Sequence, residues 1–133
     1  MLKKSKLSID EIATLTLLAA LLFGGLFRFL SPWLAGFPVN DGGMFYVMMK
    51  DLQANHYIPP LYTTYNYLNI PFAYPPLAFY IGAGISDSLN ISLIDVLQWL
   101  PAVVNIICVP AFYFLAKEIM EDKFKSAVAT LVF

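Results

Sequence analysis

Residues 12–27 carry no charged side chain, and with Arg28 accommodated near its end the apolar run continues to Leu30. Nineteen residues at the helical rise span about 28 Å, against a hydrocarbon core of about 30 Å, so residues 12–30 predict a transmembrane helix. A cleaved signal peptide shares the basic start, but its apolar core is about 7–15 residues long and ends at a small-x-small site. Here Phe27, Arg28, Phe29 and Leu30 close the run, which fits a retained anchor better. A second crossing is expected over residues 93–116, with Asp95 at its outer end and Gln98 and Asn105 as polar interruptions. Pro101 and Pro110 are expected to kink it, which membrane helices tolerate when neighbours satisfy the freed carbonyls. Asn105 reads as an interhelical hydrogen bonder. Residues 117–125 form a polar turn, and residues 126–133 begin a third apolar segment too short to cross. The expectation is therefore the amino-terminal part of a larger polytopic protein.

Composition supports lipid as part of the solvent: the chain is 59% hydrophobic and 13% charged, too little charge to solvate so much apolar surface. The net charge of −1 is unclustered, which excludes the basic stripe that nucleic-acid binding requires. Cys108, the single cysteine, has no intrachain partner and reads as a small hydrophobe. Lys3, Lys4 and Lys6 precede the first crossing and Lys117, Lys123 and Lys125 follow the second, whereas the intervening loop holds Lys50 alone, with Arg28 at its edge. By the positive-inside rule residues 1–11 and 117–125 face the cytoplasm and the loop 31–92 faces outward, in a multi-pass protein of the cell membrane. Trp33 and Trp99 fall where an aromatic belt would sit.

The fold class expected is an all-α membrane protein whose large outer loop holds two short interfacial helices, at about 42–56 and 76–86. Residues 31–86 contain seven of the eight tyrosines and seven of the nine prolines. Asn40 or Asp41 can cap a helix that opens at Gly42-Gly43. Met44, Val47, Met48 and Leu52 share one face at helical spacing, away from Lys50, Gln53 and Asn55, so this helix can lie flat on a bilayer. Residues 58–75 are uncharged and dense in Pro, Tyr and Asn, the mark of an ordered but non-regular connector. Pro76 then opens a second apolar helix, too short to span, that re-enters or skims the outer leaflet.

This order of features resembles the membrane-embedded glycosyltransferases of the GT-C class, in particular the protein-mannosyltransferase-like and aminoarabinose-transferase-like enzymes. The residues that carry the likeness are Phe37-Pro38-Val39-Asn40-Asp41-Gly42-Gly43-Met44-Phe45-Tyr46, then Asp51-Leu52, Tyr65-Asn66, and Ile70-Pro71-Phe72-Ala73-Tyr74-Pro75-Pro76-Leu77. The resemblance implies transfer of a sugar from a polyprenyl-phosphate donor to a hydroxyl acceptor on the outer face, with inversion at the anomeric carbon. It also implies that Asp41 is the catalytic carboxylate of the first outer loop. Some relatives have a second acidic residue directly after the first; here Gly42 stands there, so a metal site built from this loop alone is not expected, although a divalent ion stays open as a cofactor.

Each of these residues has a plainer reading. Asp41 suits an N-cap as well as a general base, and one side chain can serve as both. Tyr46, Tyr65 and Tyr74 suit stacking on sugar rings or anchoring at the interface. Arg28 suits a donor phosphate or snorkelling to headgroups, and His56 a lipid phosphate or a surface helix end. Asp51 reads as solvated or paired with Lys50, and Asp87 as part of a polar turn between Ser86 and Ser88. Two other classes compete with the enzyme. One is a two-crossing scaffold whose outer loop binds a partner. The other is part of a transporter, for which ionisable groups near the bilayer midplane are expected and neither crossing supplies one.

Overall fold

The structure, a computed structural model, describes residues 7–36 and 40–133. Lys3, Lys4 and Lys6, counted towards orientation, and Phe37, Pro38 and Val39 of the quoted motif lie outside the described residues. The chain is mostly helical (76%), as the all-α expectation requires. Its helices are α1 (Ile9–Ala35), α2 (Gly42–Ala54), α3 (Leu77–Leu89), α4 (Leu93–Met120) and α5 (Lys123–Val132). Two compact units are formed, one from Met1–Ser31 with Ala102–Phe133 and the other from Pro32–Pro101.

In the first unit α1 opens on a capping box: the Ser8 amide donates to Glu11 Oε2 at 2.7 Å and the Glu11 amide to Ser8 Oγ at 3.3 Å. Ala13 and Ala20 on α1, and Ala102, Val109 and Ala116 on α4, are buried at seven-residue spacing, two turns apart, so each set lies on one helix face. A Cβ added at Gly25 would lie 3.5 Å from Ile106 Cδ1, and one at Gly24 would lie 3.6 Å from Val109 Cγ2. Small residues let the two helices approach closely, as membrane helices do in the absence of a hydrophobic drive between them. α1 and α4 are each long and apolar enough to cross a membrane, and only 11% and 17% of their most apolar windows are buried. α4 runs unbroken through Pro101 and Pro110, and the exposed Asn105 makes no side-chain hydrogen bond among the described residues. The expected turn at 117–125 contracts to Glu121 and Asp122, because Asp122 caps α5 by accepting the Lys125 amide at 2.9 Å. Lys123 then pairs with Asp10 across 3.0 Å at the surface.

In the second unit α2 and α3 pack side by side. Met48, Met49 and Leu52 of α2 meet Phe79 and Ala83 of α3, with Leu93 of α4 closing the cluster. The apolar face read as lying flat on a bilayer is thus covered by α3 instead, with Met49 rather than Val47 in its centre. Burial against a second short helix removes that surface from water without any lipid. α3 is apolar on its other side too: Leu77 (70% exposed) and Ile81 (49%) form an outward stripe at helical spacing. The helix continues past residue 86 to Leu89 and stops at Asn90, whose φ of 53° is the left-handed conformation that ends helices. Gln98 of α4 donates to the Pro32 carbonyl at 2.8 Å.

The connector read as non-regular contains a short antiparallel ladder. β1 (Tyr62–Thr63) pairs with β2 (Ile70–Pro71), with Tyr62 opposite Pro71 and Thr63 opposite Ile70. Its tip turns through Asn66, Tyr67 and Asn69, all at φ between 53° and 55°. Asparagine tolerates this region better than other residues with a Cβ, which accounts for its density in the segment.

Candidate functional site

α2 organises the site. Asp41 occupies its N-cap position, yet its side chain makes no capping hydrogen bond and is exposed, while its carbonyl accepts the Phe45 amide at 2.9 Å. The first-turn amides thus take nothing from this carboxylate, and the capping reading does not account for it. Tyr65 reaches the same end of the helix: a Cβ on Gly43 would lie 3.8 Å from its ring and 3.9 Å from its hydroxyl, ordinary contact. Phe45, one turn further along, meets the Tyr74 ring edge-on at 5.3 Å between centroids. Beyond it opens a pocket of about 350 Å³, lined almost wholly by carbon from Phe45, Met49, Tyr74, Phe79, Val96 and Leu100.

Tyr46 sits beneath Lys50, whose Nζ lies 5.4 Å from the ring centroid. His56 is exposed at the opposite end of α2, about 20 Å from Asp41 at 1.5 Å per residue, so the helix itself keeps the two apart. His56 and Tyr57 both adopt positive φ, 52° and 62°, and the Tyr57 amide bonds back to the Leu52 carbonyl at 2.7 Å to close the helix end. Arg28 belongs to the first unit, where it donates to the Gly24 carbonyl at 3.3 Å and lies 5.9 Å above the Phe133 ring. Asp41, Tyr65 and Tyr74 therefore line one stretch of α2, and His56 does not join them.

Two carboxylates differ from their sequence reading. Asp51 is 9% exposed and does not pair with Lys50. Its Oδ2 accepts Thr63 Oγ1 at 2.7 Å and the Thr64 amide at 2.9 Å, and its Oδ1 accepts Thr64 Oγ1 at 2.7 Å. Burial is tolerated because three donors replace water. Asp87 lies within α3 rather than in a turn, accepting from Gln53 Nε2 at 2.6 Å and from the Tyr57 hydroxyl. That hydrogen bond, then partial burial and the nearby negative charge, holds the Tyr57 hydroxyl above its usual 10.0. Tyr80 donates to the Tyr57 carbonyl at 3.0 Å and stacks on its ring, so α2 and α3 are locked at this end. The hint in the sequence was the Thr63-Thr64 pair, neutral donors in a segment where every other polar side chain is Tyr or Asn.

Among the described residues no three of His, Cys, Asp or Glu come together in a group able to hold a metal ion. Compared with known proteins, the chain matches no family model, no curated protein and no solved structure.

Proposed function

We propose that this chain is part of an integral-membrane glycosyltransferase that moves a sugar from a polyprenyl-phosphate donor to an acceptor hydroxyl. The observation that supports this reading is that one helix, α2, bears an uncommitted carboxylate at its start and, through Phe45 and Met49, a wall of an apolar pocket further along. A polyprenyl-phosphate sugar is amphiphilic in the same sense: its sugar belongs beside Asp41 and the first units of its chain beside Phe45 and Tyr74. A volume of about 350 Å³ sits at the small end of ligand pockets and suits a few prenyl units rather than a whole lipid.

In this mechanism the Asp41 carboxylate takes the proton of the acceptor hydroxyl. The hydroxyl oxygen attacks the anomeric carbon while the bond to the phosphate oxygen breaks, and polyprenyl phosphate leaves with the bonding electrons. Attack opposite the leaving group inverts the configuration. α1 and α4 cross the cell membrane, the amino terminus faces the cytoplasm and residues 31–92 lie outside, as the lysine distribution requires. The outward stripe of α3, Leu77 and Ile81, then rests in the outer leaflet.

Asp41→Asn tests the assignment, because the amide keeps the shape and removes the base. Sugar transfer should fall by about 10²–10⁴-fold, the usual worth of general-base catalysis, with expression and membrane insertion unchanged. Transfer at the normal rate removes Asp41 from the mechanism. Cysteine labelling of residues 40–86 from outside, in a Cys108→Ser background, tests the orientation; protection of that stretch in intact cells removes it.

A further inference from the structure

Asp51 is the one carboxylate of the second unit that is buried, and the mechanism above does not use it. Its partners are particular. They lie 12 and 13 residues away in the chain and all belong to the start of the connector, so the carboxylate fastens that connector to α2. The chain of contacts continues. The Tyr65 amide donates to Thr63 Oγ1 at 3.2 Å, and Thr63 Oγ1 in turn donates to Asp51. Fixing the backbone of residues 63–65 aims the Tyr65 side chain back along α2, where its ring and hydroxyl pack over Gly43. Gly43 is about two turns from Asp51, about 12 Å at 1.5 Å per residue, so the anchor and the place it serves are distinct. An anchor whose only purpose was to hold the ladder would not need to direct a phenol to the end of the helix that carries Asp41.

We propose that Asp51 is a positioning residue: through Thr63 and Thr64 it holds the Tyr65 phenol against the first turn of α2, where that phenol contacts the sugar of the donor. The inference rests on the transferase reading for the identity of the ligand, and on the hydrogen-bond relay for the positioning. Tyr65 is a specificity determinant in this scheme, since a hydroxyl fixed by backbone bonds discriminates among sugar hydroxyls better than a mobile one.

The test uses the protein as its gene encodes it, reconstituted in nanodiscs. Asp51→Asn should raise amide exchange at Thr64 and Tyr65 at least tenfold while exchange in α2 and α3 stays within about twofold. Thr63→Val, which cuts the same relay at nearly constant volume, should do likewise and serves as the second variant. Thr63→Ser, which keeps the hydroxyl, should restore protection. In transfer assays Asp51→Asn and Tyr65→Phe should each raise the donor KM about three- to tenfold, the worth of about one hydrogen bond. The double variant should be no worse than Tyr65→Phe alone, because both changes remove one contact. A purely structural Asp51 lowers the yield of folded protein but leaves the donor KM of the folded fraction unchanged, and that result overturns the proposal. So do effects that multiply in the double variant. Exchange is read without activity, so unchanged protection of Tyr65 in Asp51→Asn defeats this inference alone, whereas a parent protein that transfers no sugar defeats the transferase assignment and leaves the relay to be read by exchange.

Discussion

Two glycines of α3 offer a controlled test of how α2 is held in place. In a helix interior Ala is favoured over Gly by about 1 kcal/mol. At Gly84 nothing lies within 4 Å of an added Cβ, so Gly84→Ala should deliver that gain in full. At Gly82 the same carbon would lie 2.5 Å from Met49 Cε and 3.1 Å from Met49 Sδ, with Val96 Cγ1 at 3.7 Å. The Met49 methyl can swing aside, but Met49 is buried between α2 and α3, so its displacement costs about 1–3 kcal/mol, the range for an overpacked core. Gly82→Ala should therefore fall about 1–3 kcal/mol below Gly84→Ala, and between neutral and about 2 kcal/mol below the parent. Amide exchange of α2 and α3 in nanodiscs reads this directly as the free energy of local opening. Met49→Val, which removes the clashing sulfur and methyl, should narrow the gap between the two alanine variants, a coupling that distant sites do not show. Equal exchange in the Gly82 and Gly84 variants would refute the close approach of α2 to α3.

Tyr57 and Asp87 predict a pH dependence at the alkaline end. Because the folded state holds the Tyr57 proton more tightly than the unfolded chain, this contribution is complete below about pH 10 and is lost as pH rises through the raised folded value. The stability difference between the parent and Tyr57→Phe should be constant from pH 7 to 9 and shrink above 10, as measured by thermal unfolding; a difference that grows above pH 10 contradicts the sign. At the connector tip, Asn69→Gly should be tolerated, whereas Asn69→Val, forced to φ 53°, should cost about 1–2 kcal/mol in the exchange of the ladder amides. Gln98→Leu removes the donor to the Pro32 carbonyl and should cost about 1 kcal/mol of local opening at the ends of α1 and α4, while the reverse case of no change would mark that bond as replaceable by water.

What each residue does alone was readable in advance, and what it does in company was not. The start of α2 at Gly42 and of α3 at Leu77 follow from the Asn40-Asp41-Gly42-Gly43 and Pro75-Pro76 signals. The end of α3 does not, because Ser86, Asp87 and Ser88 have the composition of a turn. They stay helical since Ser86 Oγ bonds the Ile91 carbonyl at 2.7 Å and Asp87 is held by Gln53 and Tyr57 from α2 and its end. In the sequence Asp41 suits a cap and a general base equally, and only the geometry shows its carboxylate making no capping bond.

The sequence by itself determined two helices long and apolar enough for a bilayer, the uncharged aromatic segment between them, and the helix start that bears Asp41, because hydrophobic runs and backbone preferences are properties of consecutive residues. Tertiary structure alone decided that Asp51 is buried while Asp41 is exposed, and that the apolar face of α2 meets α3 rather than lipid. Burial of a carboxylate depends on donors supplied from 12 and 13 residues away, and coverage of a helix face depends on which other helix reaches it first.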